Sequence, residues 1–128
     1  MNDFDRWNIL KKKINKKDNL PLFEEGDLWW CNLGKNVGIE TFGKGKYFSR
    51  PVLIIKKHNI NQIVIIPATK QPKLGKFYYK IESENETSYL LLSQIKVIDT
   101  KRLIKIISQV NQEEITEIKK AVYEINFQ

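Results

Sequence analysis

Two short apolar runs separated by a polar stretch place the strongest constraint on how this chain folds. The first run is Val-Leu-Ile-Ile at residues 52–55, and the second is Ile-Val-Ile-Ile at residues 63–66. β-Branched residues dominate both runs, which favours strands, and residues 56–62 between them suit a hairpin connection. We therefore predict that the two runs pair as antiparallel strands.

A polar residue with a reactive head group stands at the outer boundary of each run. Arg50 lies just before the first run, and Thr69 lies just after the second. In an antiparallel hairpin the start of one strand lies beside the end of the other, so we expect the two side chains to share one edge of a sheet. A guanidinium fork beside a hydroxyl binds a phosphodiester well. The alternative is structural, with Arg50 capping a strand edge and Thr69 satisfying a turn.

The composition limits the classes of partner and compartment. The chain has 128 residues, enough for one domain, and its formal charge of +7 favours a polyanion or an acidic protein as partner. A Lys- and Ile-rich composition can also reflect an AT-rich genome. The single cysteine, Cys31, cannot form an intrachain disulfide and is expected to be a buried packing residue in a reducing cytoplasm. No apolar run is long enough to span a membrane, so no membrane partner is predicted.

A helix is predicted near each end of the chain. In residues 3–17, apolar side chains recur at helical spacing, and Asp18-Asn19-Leu20-Pro21 ends the pattern. At the other end, Asn111 and Glu114 have capping-box spacing, and an apolar stripe continues to residue 126. The N-terminal apolar positions are Phe4, Trp7, Leu10 and Ile14, and the C-terminal ones are Ile115, Ile118, Val122 and Ile125.

Between the helices the sequence predicts five or six short strands in a hairpin-rich sheet. The segments are 28–33, 50–57, 62–68, 76–82, an apolar stretch at 89–92 that leads through Ser93-Gln94 to an alternating strand at 95–98, and 103–108, with a polar connection at 84–88. We predict an α+β, mainly β fold: a small SH3-like barrel of antiparallel strands with an N-terminal helix extension and a C-terminal helix. Residues 1–22 form the helix and linker, and residues 23–128 form the barrel domain.

The segment 34–49 is the longest irregular stretch and combines glycines, lysines and aromatic residues. Such a loop suits nucleic acid, because bases stack on aromatic rings while lysines meet phosphates. A plain hairpin loop whose aromatics return to the core explains the composition equally well.

Conventional catalytic motifs are absent from the sequence. The chain has one histidine, His58, expected to be exposed in the hairpin turn, and one cysteine, so an ordinary zinc site is not predicted. No phosphate-binding or dinucleotide motif is present, and neither metal nor cofactor is expected. Metal-free RNA cleavage remains feasible, because RNA carries its own nucleophile in the 2′-hydroxyl group. On this reading Arg50 supplies the cation and Thr69 a hydrogen-bond donor.

Four segments together resemble the MazF/PemK toxin family. They are Glu25-Gly26-Asp27-Leu28-Trp29-Trp30, Arg50-Pro51-Val52-Leu53-Ile54-Ile55, Ile66-Pro67-Ala68-Thr69, and Leu92-Ser93-Gln94-Ile95-Lys96-Val97-Ile98-Asp99. Their order and spacing match from about residue 24 to the C-terminal helix. The resemblance implies an SH3-like barrel, a cytoplasmic homodimer, and a sequence-specific, metal-independent endoribonuclease of a type II toxin–antitoxin system. It also implies an acidic cognate antitoxin that inhibits the toxin and binds DNA together with it.

The resemblance also implies roles for individual residues. Arg50 and Thr69 match catalytic residues of the family, and cleavage is expected to leave a 2′,3′-cyclic phosphate and a 5′-hydroxyl. Arginine is a poor general base, so Glu40, at the position of a Gly-x-Glu in the loop after the first strand, is the candidate proton acceptor. The predicted RNA-binding residues are Lys35, Phe42, Lys44, Lys46, Tyr47, Lys70, Gln71 and Gln94.

Two other functions fit the same fold. The first is a CcdB-type gyrase poison, which relies on C-terminal residues that include a tryptophan. This chain ends Ile-Asn-Phe-Gln, which disfavours that function. A catalytically silent RNA-binding barrel would keep the basic groove without needing Arg50 or Thr69. Residues 1–22 depart from the short family members, and this extension could pack on a dimer, enlarge the basic surface or cover part of the site.

Overall fold

The computed structural model describes Arg6 and residues 22–34, 49–83 and 86–128. The helix predicted for residues 3–17 therefore lies outside the described residues, except for Arg6, whose backbone is helical. The interior of the predicted loop 34–49 lies outside them as well. The division into an extension and a barrel domain at residue 22 stays a prediction.

The described residues form seven strands and a C-terminal helix. The strands are β1 Asp27–Asn32, β2 Ser49–Asn59, β3 Gln62–Thr69, β4 Tyr78–Ser83, β5 Glu86–Leu91, β6 Lys96–Asp99 and β7 Leu103–Gln109, and the helix is α1 Gln112–Phe127. Two short 3-10 turns, Leu92–Gln94 and Thr100–Arg102, precede β6 and β7. Within the described residues the predicted strand segments and the C-terminal helix are confirmed, but the predicted count of five or six strands is wrong.

The extra strand arises because the predicted segment from residue 89 to residue 98 contributes to two separate strands, β5 and β6. The 3-10 turn Leu92–Gln94 separates β5, which pairs with β4, from β6, which pairs with β3. The predicted polar connection at 84–88 is also wrong in part, since residues 86–88 belong to β5. These polar residues form a strand because β4 supplies main-chain partners along their whole length, including Glu82 opposite Thr87.

The central hairpin is tighter than the sequence suggested. β2 continues through the polar residues to Asn59, and only Ile60 and Asn61 connect it to β3. The Asn59 side-chain oxygen accepts a hydrogen bond from the Asn61 main-chain N–H at 2.8 Å, which stabilises the short turn. His58 is exposed, as predicted, but it lies in the strand and not in the turn.

β3 belongs to two groups of strands and thereby curves the sheet. One edge of β3 pairs with β2 along most of its length. On the other edge, its first half pairs with β6 and its last two residues, Ala68 and Thr69, pair with β5. All strand pairs are antiparallel, in the order β4-β5-β3-β2-β1-β7 with β6 added to β3. This small, barrel-like antiparallel sheet with a C-terminal helix confirms the predicted fold class.

Two apolar clusters use alternate residues of the same strands. Val52 and Ile54 lie in one cluster with residues from β1, β3, β6 and β7, so that cluster fills the barrel. Leu53 and Ile55 lie in the other, with β4, β5 and α1. Because successive side chains of a strand point to opposite faces, the uninterrupted run 52–55 can supply both clusters. Cys31 is fully buried in the barrel cluster, as predicted.

Helix α1 begins as the capping pattern indicated. The Asn111 side-chain oxygen accepts a hydrogen bond from the Glu114 main-chain N–H at 2.8 Å. Ile115, Ile118 and Val122 are buried against the sheet. Within the described ranges, no helix is long and apolar enough to cross a membrane.

The turn before β1 depends on a glycine in a close contact. Gly26 has a φ angle of +95°, donates a main-chain hydrogen bond to Ile54 at 2.7 Å and accepts one from Val110 at 2.8 Å. A Cβ atom at this position would lie 3.0 Å from the Val110 carbonyl oxygen. The turn thereby connects the start of β1 both to β2 and to the entry of α1.

We expect Gly26→Ala to lower the free energy of unfolding by about 1–3 kcal/mol, because it adds backbone strain and its Cβ crowds the Val110 carbonyl oxygen. Urea denaturation measures the change. Gly75→Ala is the matched control, since Gly75 has a φ of +113° but no atom within 4 Å of the added Cβ. A loss at Gly26 no larger than the loss at Gly75 would refute the role of the Val110 contact.

Candidate functional site

A pocket of about 380 Å³ opens where β2 begins and β3 ends. The last pair of the hairpin register is Val52 opposite Pro67, and Arg50 and Thr69, each two residues further along, both line this pocket. The structure thus brings these two residues together, as the antiparallel hairpin predicted. The lining residues are Trp30, Ser49, Arg50, Pro51, Ala68, Thr69, Lys70 and Gln71.

Arg50 places a positive charge in the wall of the pocket. It lies near the start of β2, opposite Cys31 of β1, and its side chain is partly buried. The Arg50 Nη1 donates a hydrogen bond to the Ala68 carbonyl at 3.4 Å. Burial lowers the pKa of Arg50, but a guanidinium group keeps its proton near neutral pH, so the charge persists.

Thr69 places a hydroxyl group in the same pocket. It is the last residue of β3, lies opposite Tyr89 of β5 and is buried. Its Oγ1 accepts a hydrogen bond from the Gln71 main-chain N–H at 3.2 Å. The residue is therefore held both by the strand before it and by the loop after it.

An aromatic ring and a lysine complete the described part of the pocket. The Lys70 Nζ lies 5.8 Å from the centre of the Trp30 ring and 3.4 Å from the Glu86 carboxylate. Trp30, Pro51 and Ala68 make much of the lining apolar. Apolar and aromatic surface beside two cations suits a ligand with a planar ring and a phosphate.

The role of Trp30 in the pocket was not predicted from the sequence. A signal was nevertheless present in the adjacent tryptophans at 29 and 30. Neighbouring strand residues point to opposite faces, so only one of the two rings can enter the barrel cluster. Trp29 does so, and Trp30 lies in the pocket.

The remaining predicted site residues divide into two groups. Gln94 lies in the 3-10 turn before β6 and is not among the residues that line the pocket. Its side-chain oxygen is buried and has no hydrogen-bond partner within the described part of the chain. Six predicted residues lie outside the described residues, so their placement stays a prediction: Lys35, Glu40, Phe42, Lys44, Lys46 and Tyr47.

Similar solved structures share this small antiparallel barrel. MazF from Deinococcus radiodurans is 18% identical, with 84% of this chain and 97% of that chain covered, and the TM-score is 0.66. An endoribonuclease in complex with its cognate antitoxin, from a mycobacterial species, is 16% identical, with coverages of 80% and 93% and a TM-score of 0.62. At these identities the likeness establishes the fold.

The family is established by a match to the sequence itself. The family model for PemK-like, MazF-like toxins of type II toxin–antitoxin systems matches residues 24–125. The chain therefore belongs to this toxin family, which confirms the resemblance predicted from its four segments. The predicted enzyme class is confirmed with it, since MazF/PemK toxins are endoribonucleases. No curated protein matches the chain.

Proposed function

We propose that this protein is the toxin of a type II toxin–antitoxin pair and cleaves single-stranded RNA at specific sequences without a metal ion. The observation that carries the proposal is the meeting of Arg50 and Thr69 in one pocket, beside Lys70 and Trp30. Family membership supports the same reading.

The proposed reaction is an internal transfer at phosphorus. The 2′-oxygen of the RNA forms a bond to the phosphorus while the bond from phosphorus to the 5′-oxygen breaks. The 2′-hydroxyl loses its proton, the departing 5′-oxygen gains one, and the products are a 2′,3′-cyclic phosphate and a 5′-hydroxyl. Negative charge accumulates on the phosphoryl oxygens in the transition state. Arg50 and Thr69 would stabilise that charge, and one such donor typically contributes about 3–4 kcal/mol.

The proton acceptor must be a group other than Arg50. Its guanidinium remains protonated and therefore acts as a fixed charge. We assign the acceptor role to Glu40, which lies outside the described residues, on the basis of the family pattern. A carboxylate in this role should impose an acidic limb on the pH–rate profile, and Glu40→Gln should remove that limb.

Single-stranded RNA is the substrate class that best fits the pocket lining. The Trp30 ring offers a surface on which an unpaired base can stack, and Lys70 beside it can meet a phosphate. Bases in a duplex are already stacked on one another and cannot reach such a ring. Lys70 would exchange its contact with Glu86 for one with RNA, and both side chains are exposed enough to move.

The partners follow from the family and the charge. We propose that an acidic antitoxin segment covers the pocket and thereby inhibits cleavage, since the chain carries a net charge of +7. A structural neighbour in complex with its cognate antitoxin supports this partner. We further propose a homodimer located in the cytoplasm, which binds DNA when the antitoxin is bound.

The test incubates the purified protein with a long RNA in the presence of EDTA and maps the ends of the products. We expect discrete cuts that leave a cyclic phosphate and a 5′-hydroxyl. Cleavage abolished by EDTA would refute the metal-independent mechanism. RNA binding without cleavage would instead indicate the silent barrel.

A further inference from the structure

The residues from Ala68 to Gln71 hold both proposed catalytic groups through main-chain atoms. The Ala68 carbonyl accepts a hydrogen bond from the Arg50 guanidinium at 3.4 Å. The Gln71 N–H donates to the Thr69 hydroxyl oxygen at 3.2 Å. The end of β3 and the first residues after it thus orient the two side chains that the proposed reaction requires.

The Gln71 hydrogen bond determines what the Thr69 hydroxyl can do. A threonine hydroxyl can donate one hydrogen bond through its proton and, at the same time, accept through the lone pairs of its oxygen. When its oxygen accepts from a main-chain N–H, its own proton points elsewhere, and accepting a bond also strengthens its capacity to donate. The β-branched threonine side chain is restricted in rotation, which helps to keep this geometry. The arrangement therefore favours a hydroxyl that donates a hydrogen bond to a ligand.

We propose that Gln71 is a positioning residue that acts through its main-chain N–H and holds the Thr69 hydroxyl as a donor to the phosphoryl oxygen. This inference rests on the proposed ribonuclease function. It distinguishes two roles at one position, because Gln71 also lines the pocket and would use its side chain for any direct contact with RNA. The main-chain role should affect the chemical step, whereas the side-chain role should affect substrate binding.

The sharpest test replaces the amide between residues 70 and 71 with an ester, through semisynthesis of the full chain. The ester removes the N–H and keeps the Gln71 side chain. We expect the single-turnover rate constant to fall about 3- to 10-fold, the size of one neutral hydrogen bond, with little change in KM. Gln71→Ala, which keeps the N–H, is expected to raise KM instead. Gln71→Pro offers a recombinant variant that also lacks the N–H.

The Thr69→Val background shows whether the effect passes through the hydroxyl. Reactions with enzyme in excess over RNA allow slow cleavage rates to be followed. In the Thr69→Val background the ester should cause no further loss of the cleavage rate. In the Thr69→Ser background, which keeps the hydroxyl, the ester should still lower the rate. Thermal unfolding of each variant separates a rate effect from misfolding. A wild-type protein without cleavage would refute the proposed function. If the wild-type protein cleaves RNA and the ester variant cleaves it at the same rate, the role of Gln71 is overturned. A loss of rate in the Thr69→Val background equal to the loss in the wild-type background would also overturn it.

Discussion

Arg50→Ala is expected to lower the single-turnover rate of RNA cleavage by about 100- to 1000-fold, the loss typical of removing one preorganised donor to a developing charge. Arg50 is partly buried and oriented by the Ala68 carbonyl, so the folded protein already holds its charge in the pocket. Water or a neighbouring lysine cannot reproduce a fixed guanidinium fork. Arg50→Lys should recover only part of the rate, since an ammonium group keeps the charge but cannot bind a phosphate in the same two-point manner.

Lys80→Ala is the matched control for the loss of charge. Lys80 carries one positive charge, is exposed beside Glu82 and does not line the pocket. Both substitutions reduce the net charge by one, so general attraction of RNA weakens equally in the two variants. A Lys80→Ala variant as impaired as Arg50→Ala would show that net charge, and not the position of Arg50, governs cleavage.

Asp27→Ala is expected to lower the free energy of unfolding by about 2–4 kcal/mol. Asp27 is buried at the start of β1, and its carboxylate accepts three hydrogen bonds. One oxygen accepts from the Glu24 main chain at 2.9 Å and from the Trp29 ring N–H at 3.2 Å, and the other accepts from the Gln109 side chain at 2.9 Å. Alanine would leave these donors without their acceptor and would remove the side-chain hydrogen bonds that connect the turn, β1 and β7.

Asp27→Asn provides the comparison in urea denaturation. Its amide oxygen can still accept from the Glu24 and Trp29 donors, and the Gln109 side-chain amide can turn to present its oxygen to the new NH₂ group. We therefore expect Asp27→Asn to lower the free energy of unfolding clearly less than Asp27→Ala does. When Asp27→Asn is combined with Gln109→Ala, we expect this difference from alanine to disappear. Equal destabilisation by Asn and Ala would contradict this account of the network.

The two stability predictions explain the Gly26-Asp27 pair that contributed to the family resemblance. Gly26 allows the main chain to approach Val110 closely, and Asp27 connects the same turn to β7. Both residues act on the fold and lie outside the set that lines the pocket. Sequence patterns shared with a family thus include positions needed for the scaffold as well as positions near the chemistry.

Much of the fold and the centre of the site could be predicted because they depend on local rules. The meeting of Arg50 and Thr69 at one edge of the sheet follows from the antiparallel direction of the hairpin strands. The start of α1 follows from Asn111 and the spacing of its apolar stripe. The separate pairing of β5 and β6 could not be predicted, because two apolar segments joined by only Ser93 and Gln94 do not show whether they pair with the same strand. Their different partners, β4 and β3, appear only in the folded sheet.

The sequence by itself determined the central hairpin, the C-terminal helix, the family and the pairing of Arg50 with Thr69, since these depend on periodicity, capping and strand direction. Only the tertiary structure decided that Trp30 lines the pocket while Gln94 does not, and that the Ala68 carbonyl accepts a hydrogen bond from the Arg50 guanidinium. The physical reason is that a hydrogen-bond partner or a burial site is supplied by distant segments. Residue type alone does not specify which segment that is.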